Sequence, residues 1–332
     1  MVKKHNYLIN IRYFYYLMNL KINPLTKNLS GEITAPGSKS YSHRVFIAAS
    51  LSDRISIIKN PMTIGDVQIT LNLLRALGVK IIEQNNNTFI VERINSEYIP
   101  VNKPLDCQNS GTSIRIFSAL SLLIKGGLTF TGEFLKLKRP ILPLLNALEQ
   151  LGAVFKLSDE KLEIKRNEIT CKKIKIRGDI SSQFITALLM ICPLVQCKNR
   201  DYIEIELTTP LASKPFVEMT IDVLNSFGII IQEDFENGKF YITNEQNYRP
   251  QSYTIPGDFS SAAFIIAAAA ISLKKSKISI NNLNMKSFQG DKKIVEILMK
   301  MGAHIEYNDN TNQVIINCNR EKYPLSLSLI HI

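Results

Sequence analysis

Four segments of the chain share one shape: LNLLRALGVKII from Leu71, LLNALEQLGAVFK from Leu144, IDVLNSFGIIIQ from Ile221 and IVEILMKMGAHIEY from Ile294. In each, apolar residues recur at helical spacing up to a glycine, and the residues after it read as a strand. The glycines are Gly78, Gly152, Gly228 and Gly302, so the intervals between them are nearly equal. One helix-stopping glycine constrains little. A near-constant period with the same flanking pattern makes the chain an array of one supersecondary unit.

The surroundings of these helices repeat as well. After each glycine comes a hairpin with a polar turn: NNN at 85–87, SDEK at 158–161, ENGK at 236–239 and NDNTN at 308–312. Before each helix lies a short strand (ISIIK, LTFTG, YIEIEL, KISIN), and before that strand another helix. The unit is therefore strand, helix, strand, helix, strand, strand, which sets the fold class as α/β (α+β).

The first helix of each unit opens on small or hydroxyl-bearing residues: GSKS at 37–40, NSGTS at 109–113, SSQ at 181–183 and GDFSS at 257–261. Such residues cap helix N-termini. Helix N-termini also carry free N–H groups and partial positive charge, so several of them brought together make an anion site. Plain capping accounts for any one of the four. Their recurrence at one point of the repeat, with Lys39, Arg44, Arg115 and Arg139 close by, points to ligand binding.

The net charge of +11 raises the question of nucleic acid, but Lys and Arg are spread along the chain, with no dense basic block outside the N-terminal region. An anionic small substrate accounts for the charge equally well. The five cysteines (Cys107, Cys171, Cys192, Cys197, Cys318) form no C-x-x-C pair and have no histidine placed to complete a metal site. They read as reduced and buried, which suits a cytoplasmic protein. The segment 1–17 is basic and aromatic, yet Arg12 and asparagines interrupt the apolar run, so it forms neither a convincing signal peptide nor a membrane span. The GxxxxGK[ST] pattern is absent around Lys39, which disfavours a nucleotide P-loop.

Seven motifs, in order, carry a family resemblance: PGSKSYSHR, NSGTSIR, TGEFLKLKRPI, SSQFITALL, SKPFVEMT, GDFSSAAF and QGDKKIVEILMKMGA. From about Ile22 to about Asn317 the chain resembles the 5-enolpyruvylshikimate-3-phosphate synthases, or 3-phosphoshikimate 1-carboxyvinyltransferases. The resemblance implies two lobes, each of three βαβαββ units, closing on substrates held between them. On that plan residues 36–250 make a complete lobe of three units. Residues 18–35 and 251–332 make part of the other, and residues 1–17 are an extension. The reaction implied is transfer of the enolpyruvyl group from phosphoenolpyruvate to the 5-hydroxyl of shikimate 3-phosphate, by addition and elimination through a tetrahedral intermediate. No metal or organic cofactor, nucleic-acid partner or membrane is implied, and a monomer is expected.

Residue by residue, the resemblance gives Lys39 a place between both substrates and makes it a possible proton-transfer group. It gives Ser40 and Arg44 to shikimate 3-phosphate, together with Ser181, Ser182, Gln183 and Ser213. Gly111, Arg139 and Gln183 are given to phosphoenolpyruvate. The chemistry suits these types: an ammonium neutralises phosphate as a point charge, and a guanidinium grips a carboxylate or phosphate with parallel hydrogen bonds. Asn109 and Arg115 are expected to buttress the NSGT loop. Phe216 stands where the family often has tyrosine, removing one possible hydrogen bond. Asp258 is as suited to capping the helix at Phe259 as to touching ligand. His43 and His304 have no partner pattern and read as packing or surface residues.

The family's proton-transferring Asp and a catalytic Glu align beyond the last residue of this chain, which therefore resembles a C-terminally truncated member with little expected turnover. Two alternatives stay open. A non-catalytic fragment would bind shikimate 3-phosphate alone. The sister enzyme UDP-N-acetylglucosamine 1-carboxyvinyltransferase normally carries a loop cysteine where this chain reads TGEFLKLKRPI.

Overall fold

The computed structural model describes residues 7–13, 16–22, 29–94, 98–99, 101–169, 173–196, 202–272 and 275–318. Cys171, Cys197 and residues 319–332 lie outside these. The chain opens on a hairpin of β1 (Tyr7–Tyr13) and β2 (Tyr16–Ile22), paired only with each other among the described residues, and continues into β3 (Ser30–Thr34). The first unit supplies α1 (Lys39–Leu51), β4 (Ser56–Lys59), α2 (Asp66–Ala76), β5 (Val79–Gln84) and β6 (Thr88–Arg93). In the second, β7 (Leu105–Asp106), α3 (Gly111–Leu120) and β8 (Leu128–Thr131) lead through the short α4 (Glu133–Lys136) to α5 (Leu142–Gln150), β9 (Ala153–Leu157) and β10 (Leu162–Arg166). The third comprises β11 (Ile174–Ile176), α6 (Ser182–Ile191), β12 (Tyr202–Leu207), α7 (Lys214–Ser226), β13 (Ile231–Asp234) and β14 (Lys239–Thr243). After β15 (Ser252–Thr254), the fourth has α8 (Phe259–Ala270), β16 (Ser276–Asn281), α9 (Lys293–Lys300), β17 (His304–Asn308) and β18 (Gln313–Cys318).

The repeat read from the sequence is present four times. Gly78, Gly152, Gly228 and Gly302 all sit at φ between 80° and 97°, the left-handed turn that ends a helix and that a side chain would strain. Each unit folds into a four-stranded sheet with the same order: one parallel pair, then two antiparallel neighbours. In two sheets the outer parallel strand comes from far away in sequence. Strand β15 completes the first unit's sheet, pairing Ser252 with Ile57, and β3 completes the fourth unit's, pairing Ser30 with Lys277.

Two chain segments must therefore cross, and they do so as near copies of one another. Ala35-Pro36-Gly37-Ser38 and Ile255-Pro256-Gly257-Asp258 meet in an antiparallel bridge between Gly37 and Gly257. Ser38 N–H donates to the Pro256 carbonyl and Asp258 N–H to the Pro36 carbonyl, both at 2.8 Å. Asn60 and Asn282, each at positive φ, donate side-chain amides to the Ile255 and Ala35 carbonyls, both at 3.2 Å. A Cβ on Gly37 would lie 1.9 Å from the Asn60 carbonyl oxygen, and one on Gly257 would lie 2.1 Å from that of Asn282. Only glycine permits this approach.

Two apolar cores lie on either side of the crossing. The larger runs from Tyr41 to Ile255 and the smaller gathers Ala35, Phe259 and residues up to Ile316. Helix α1 is buried over nearly its whole length, because α2, α3, α6 and α7 surround it or adjoin its neighbours. By contrast α8, apolar on nearly every side, buries fewer than half of its residues and leaves Phe264 81% exposed, with Ile271 just beyond it at 59%. Among the described residues no helix is long and apolar enough to cross a membrane.

Candidate functional site

The N-terminal ends of α1, α3, α6 and α7 meet at one end of the larger core. A cavity of about 190 Å³ opens there, lined by Ser40, Arg44, Thr112, Ile180, Ser181, Ser182, Gln183, Ala212, Ser213 and Phe216. Six of these are residues that the sequence marked as shikimate 3-phosphate contacts. All three units of the larger core thus contribute to one hollow, from Ser40 in the first to Ser213 in the third.

Arg44 forms the inner wall. It is 3% exposed, and four of its five N–H groups are committed: Nε to Thr220 Oγ1 at 2.8 Å, one terminal nitrogen to the Ser40 carbonyl at 2.8 Å, and the other to Thr186 Oγ1 at 3.2 Å and the Phe216 carbonyl at 3.1 Å. Those bonds fix the plane of the guanidinium and leave one N–H over. Among the described residues no carboxylate pairs with Arg44. Burial pulls its pKa down to about 10, so the buried charge stands without an opposite charge.

A second basic group adjoins this hollow. Arg115 donates to Gln183 Oε1 at 2.6 Å and twice to the Pro140 carbonyl, at 3.2 and 2.5 Å. Gln183 passes the link on, its amide donating to Thr112 Oγ1 at 3.1 Å. Arg139 donates to the Asn109 carbonyl and side-chain oxygen at 2.6 and 2.8 Å. Both guanidiniums lie over the Phe134 ring, 5.1 and 4.9 Å from its centre. Burial, then the like charge of Arg139, lowers the Arg115 pKa to about 10. At Gly111 an added Cβ would meet a terminal nitrogen of Arg139 at 3.0 Å and of Arg115 at 3.1 Å. The bare backbone there lets two cations close around the start of α3.

Helix ends add to the positive field. Ser110 caps α3 by accepting from Ser113 N–H, and Ser181 caps α6 by accepting from Gln183 N–H. The N-cap of α7 is Ser213, whose φ of 56° and ψ of 49° are left-handed, and whose side chain makes no cap hydrogen bond. The Ser213 hydroxyl is left for whatever occupies the cavity. Arg44 in the lining, Arg115 and Arg139 beside it and two capped helix starts, with no carboxylate among the described lining residues, make a receptor for an anion with several charges.

Lys39 stands apart from this lining. Its ammonium lies 3.4 Å from an Asp66 carboxylate oxygen, about half exposed, while its backbone N–H donates to Asp258 Oδ2 at 3.0 Å. Ser38, at the N-cap position of α1, makes no side-chain cap. Asp258 supplies one from the far side of the crossing and caps its own helix through Ser261 N–H at 3.2 Å. His43 is buried with its Nδ1 2.8 Å from Thr70 Oγ1, and His304 is exposed with Nε2 3.5 Å from Glu306. Thr112, Thr186, Thr220 and Phe134 were not marked in the sequence. Thr220 lies one helical turn beyond Phe216 on α7, so a hydroxyl on a buried helical face was the available signal.

The model of the family described as EPSP synthase (3-phosphoshikimate 1-carboxyvinyltransferase) matches residues 25–330. A 3-phosphoshikimate 1-carboxyvinyltransferase of Methanococcus vannielii is 41% identical over 296 residues, 87% of this chain and 67% of the relative. One from Methanocaldococcus jannaschii is 41% identical over 297 residues, 87% of this chain and 66% of its own. The chain thus spans about two thirds of the length of these relatives. Among solved structures, an EPSP synthase from Acinetobacter baumannii superposes with a TM-score of 0.72 at 20% identity, over 89% of this chain and 66% of that one. At that identity the match speaks for the fold.

Proposed function

The chain belongs to the EPSP synthase (3-phosphoshikimate 1-carboxyvinyltransferase) family, and on that premise we propose that it binds shikimate 3-phosphate in the Arg44 cavity for enolpyruvyl transfer from phosphoenolpyruvate. The observation that carries this reading is the cavity itself. It gathers the hydroxyls of Ser40, Ser181, Ser182 and Ser213 around a buried guanidinium with no counter-charge among the described residues. The hydroxyls offer neutral donors to a phosphate. The remaining Arg44 N–H adds a charge-assisted one. Phosphoenolpyruvate takes the adjoining seat at Gly111, between Arg139, Arg115 and the start of α3, and Gln183 spans the two seats.

In the proposed reaction the 5-hydroxyl oxygen bonds to C2 of phosphoenolpyruvate while its proton leaves to a base. A proton adds to the methylene carbon, giving a tetrahedral adduct with a methyl group. The C2–phosphate oxygen bond then breaks, the methyl group gives back a proton, and enolpyruvylshikimate 3-phosphate and inorganic phosphate result. The basic groups here hold the charge that shifts from one substrate to the other. No metal or organic cofactor enters. The setting is the shikimate pathway toward chorismate and the aromatic amino acids, in the cytoplasm, as a monomer; the free, buried Cys107, Cys192 and Cys318 support a reducing compartment.

A second reading, binding without turnover, has its own observation: the described lining of the cavity contains no carboxylate or imidazole to take the hydroxyl proton. Titration calorimetry with shikimate 3-phosphate tests the seat. The unmutated chain binds it, dephosphorylated shikimate binds far more weakly, and Ser182→Ala loses about tenfold in affinity. Equal binding of the two ligands would contradict the assignment. Phosphate release on adding both substrates separates transfer from binding alone.

A further inference from the structure

Neighbouring residues of α1 reach in opposite directions. Arg44 runs to Thr220 of α7 and Thr186 of α6, and those two hydroxyls lie 2.8 Å apart. His43 runs the other way: its Nδ1 is 2.8 Å from Thr70 Oγ1 on α2, Thr70 Oγ1 is 2.8 Å from Ser113 Oγ on α3, and Ser113 Oγ is 2.7 Å from Ser110 Oγ. Each path leaves α1, passes a threonine on a second helix of a unit, and ends on the helix that opens one anion seat. The Arg44 path ends on α6. The His43 path ends on Ser110, which also caps α3 by accepting from Ser113 N–H at 3.2 Å.

The four members of the His43 path are between 0% and 1% exposed. Packing alone does not call for them, since valine and leucine fill such a space without polar atoms. Among the described residues His43 moreover leaves Nε2 buried with no partner, a cost that an apolar residue would avoid. What the path does achieve is orientation. Hydrogen bonds across three helices fix the rotation and height of the first turn of α3 against α1. That turn holds Gly111 and Thr112, at the start of the proposed seat, whose N–H groups have no acceptor within an α-helix. With burial and the charges of Arg44 and Lys39 holding its pKa down to about 3, the imidazole stays neutral and keeps one hydrogen-bonding pattern across the ordinary pH range.

We propose that His43 is a positioning residue, which through Thr70 and Ser113 sets the capped first turn of α3 and so the phosphoenolpyruvate seat, as Arg44 sets the shikimate 3-phosphate seat. The inference rests on the assignment of the two seats made above.

Calorimetry with two ligands in sequence tests it on the full chain: shikimate 3-phosphate first, then phosphoenolpyruvate with the first ligand saturating. His43→Leu removes the path and the orphaned nitrogen while keeping bulk. Thr70→Val cuts the path with almost no change in shape. His43→Asn restores it, since its amide can occupy the place of Nδ1. His43→Leu and Thr70→Val weaken phosphoenolpyruvate by about three- to tenfold, leave shikimate 3-phosphate within about twofold, and His43→Asn recovers most of the loss. The thermal midpoint of His43→Leu holds or rises while its phosphoenolpyruvate affinity falls, which a purely structural role does not give. Thr70→Val carries the test if His43→Leu fails to fold. Unchanged phosphoenolpyruvate affinity in both variants, equal weakening of both ligands, or shikimate 3-phosphate binding without any phosphoenolpyruvate binding in the unmutated chain would each overturn the proposal. An unmutated chain that binds neither ligand overturns instead the seat assignment beneath it.

Discussion

Ser213 combines two properties that a single pair of substitutions separates. It stands at φ 56° and ψ 49°, left-handed for an L-residue, and its hydroxyl makes no cap bond to α7 while lining the cavity. Holding a residue with a Cβ in that region costs about 1–2 kcal/mol. Glycine avoids the strain but gives back about 0.4–1 kcal/mol through the freedom of the unfolded chain. Ser213→Gly is therefore expected to be more stable than Ser213→Ala by about 0.5–1 kcal/mol. Both lack the hydroxyl, so both lose a hydrogen bond to a charged phosphate worth about 1.5–3 kcal/mol, a weakening of roughly ten- to a hundredfold. Urea unfolding gives the first comparison and calorimetry with shikimate 3-phosphate the second. A glycine variant less stable than the alanine variant refutes the strain argument. Unchanged affinity in both refutes the placement of the phosphate.

Three further outcomes follow from the packing. His43 has a folded-state pKa near 3 against an ordinary 6.5, so between those values the unfolded chain holds a proton that the folded chain lacks. Stability is lost as pH falls through that window, by about 1.4 kcal/mol per pH unit for this group, and the stability of His43→Leu, measured in urea from pH 7 to 4, lacks that share of the slope; parallel slopes would contradict the burial of a neutral imidazole. Gly37→Ala drives a Cβ into the Asn60 carbonyl oxygen and should cost on the order of 3 kcal/mol by urea unfolding, whereas a surface-like cost under about 0.5 kcal/mol would mean that the crossing is loose. Asp258→Ala removes caps from both α1 and α8 and should cost about 2 kcal/mol, with Asp258→Asn retaining part of it; a loss confined to one helix in amide exchange would count against the shared cap.

The sequence is most informative where structure is local. The helix that stops at Gly78 and turns into β5 is specified within one short segment, as are its three counterparts, so the repeat can be read directly. The exchange of β3 and β15 between sheets cannot, because pairing Ser252 with Ile57 or Ser30 with Lys277 joins distant parts of the chain. The site divides along the same line. Ser181, Ser182 and Gln183 announce themselves as a helix start. The bonds that orient Arg44 come from Thr186 and Thr220, which look like ordinary core hydroxyls until α6 and α7 pack beside α1. Local patterning also falls short at a cap: Ser38 stands at the N-cap position of α1, yet the carboxylate of Asp258, from the far side of the crossing, accepts the free N–H there in its place.

The central claim is that the hollow beside Arg44 is the seat of shikimate 3-phosphate. A crystal structure of the chain with that ligand tests it most directly. The phosphate oxygens are expected within about 2.7–3.0 Å of the Ser181, Ser182 and Ser213 hydroxyls, with Arg44 unmoved and its remaining N–H on the ligand. A phosphate bound elsewhere, or an Arg44 that abandons Thr220 and Thr186 to reach it, would contradict that claim.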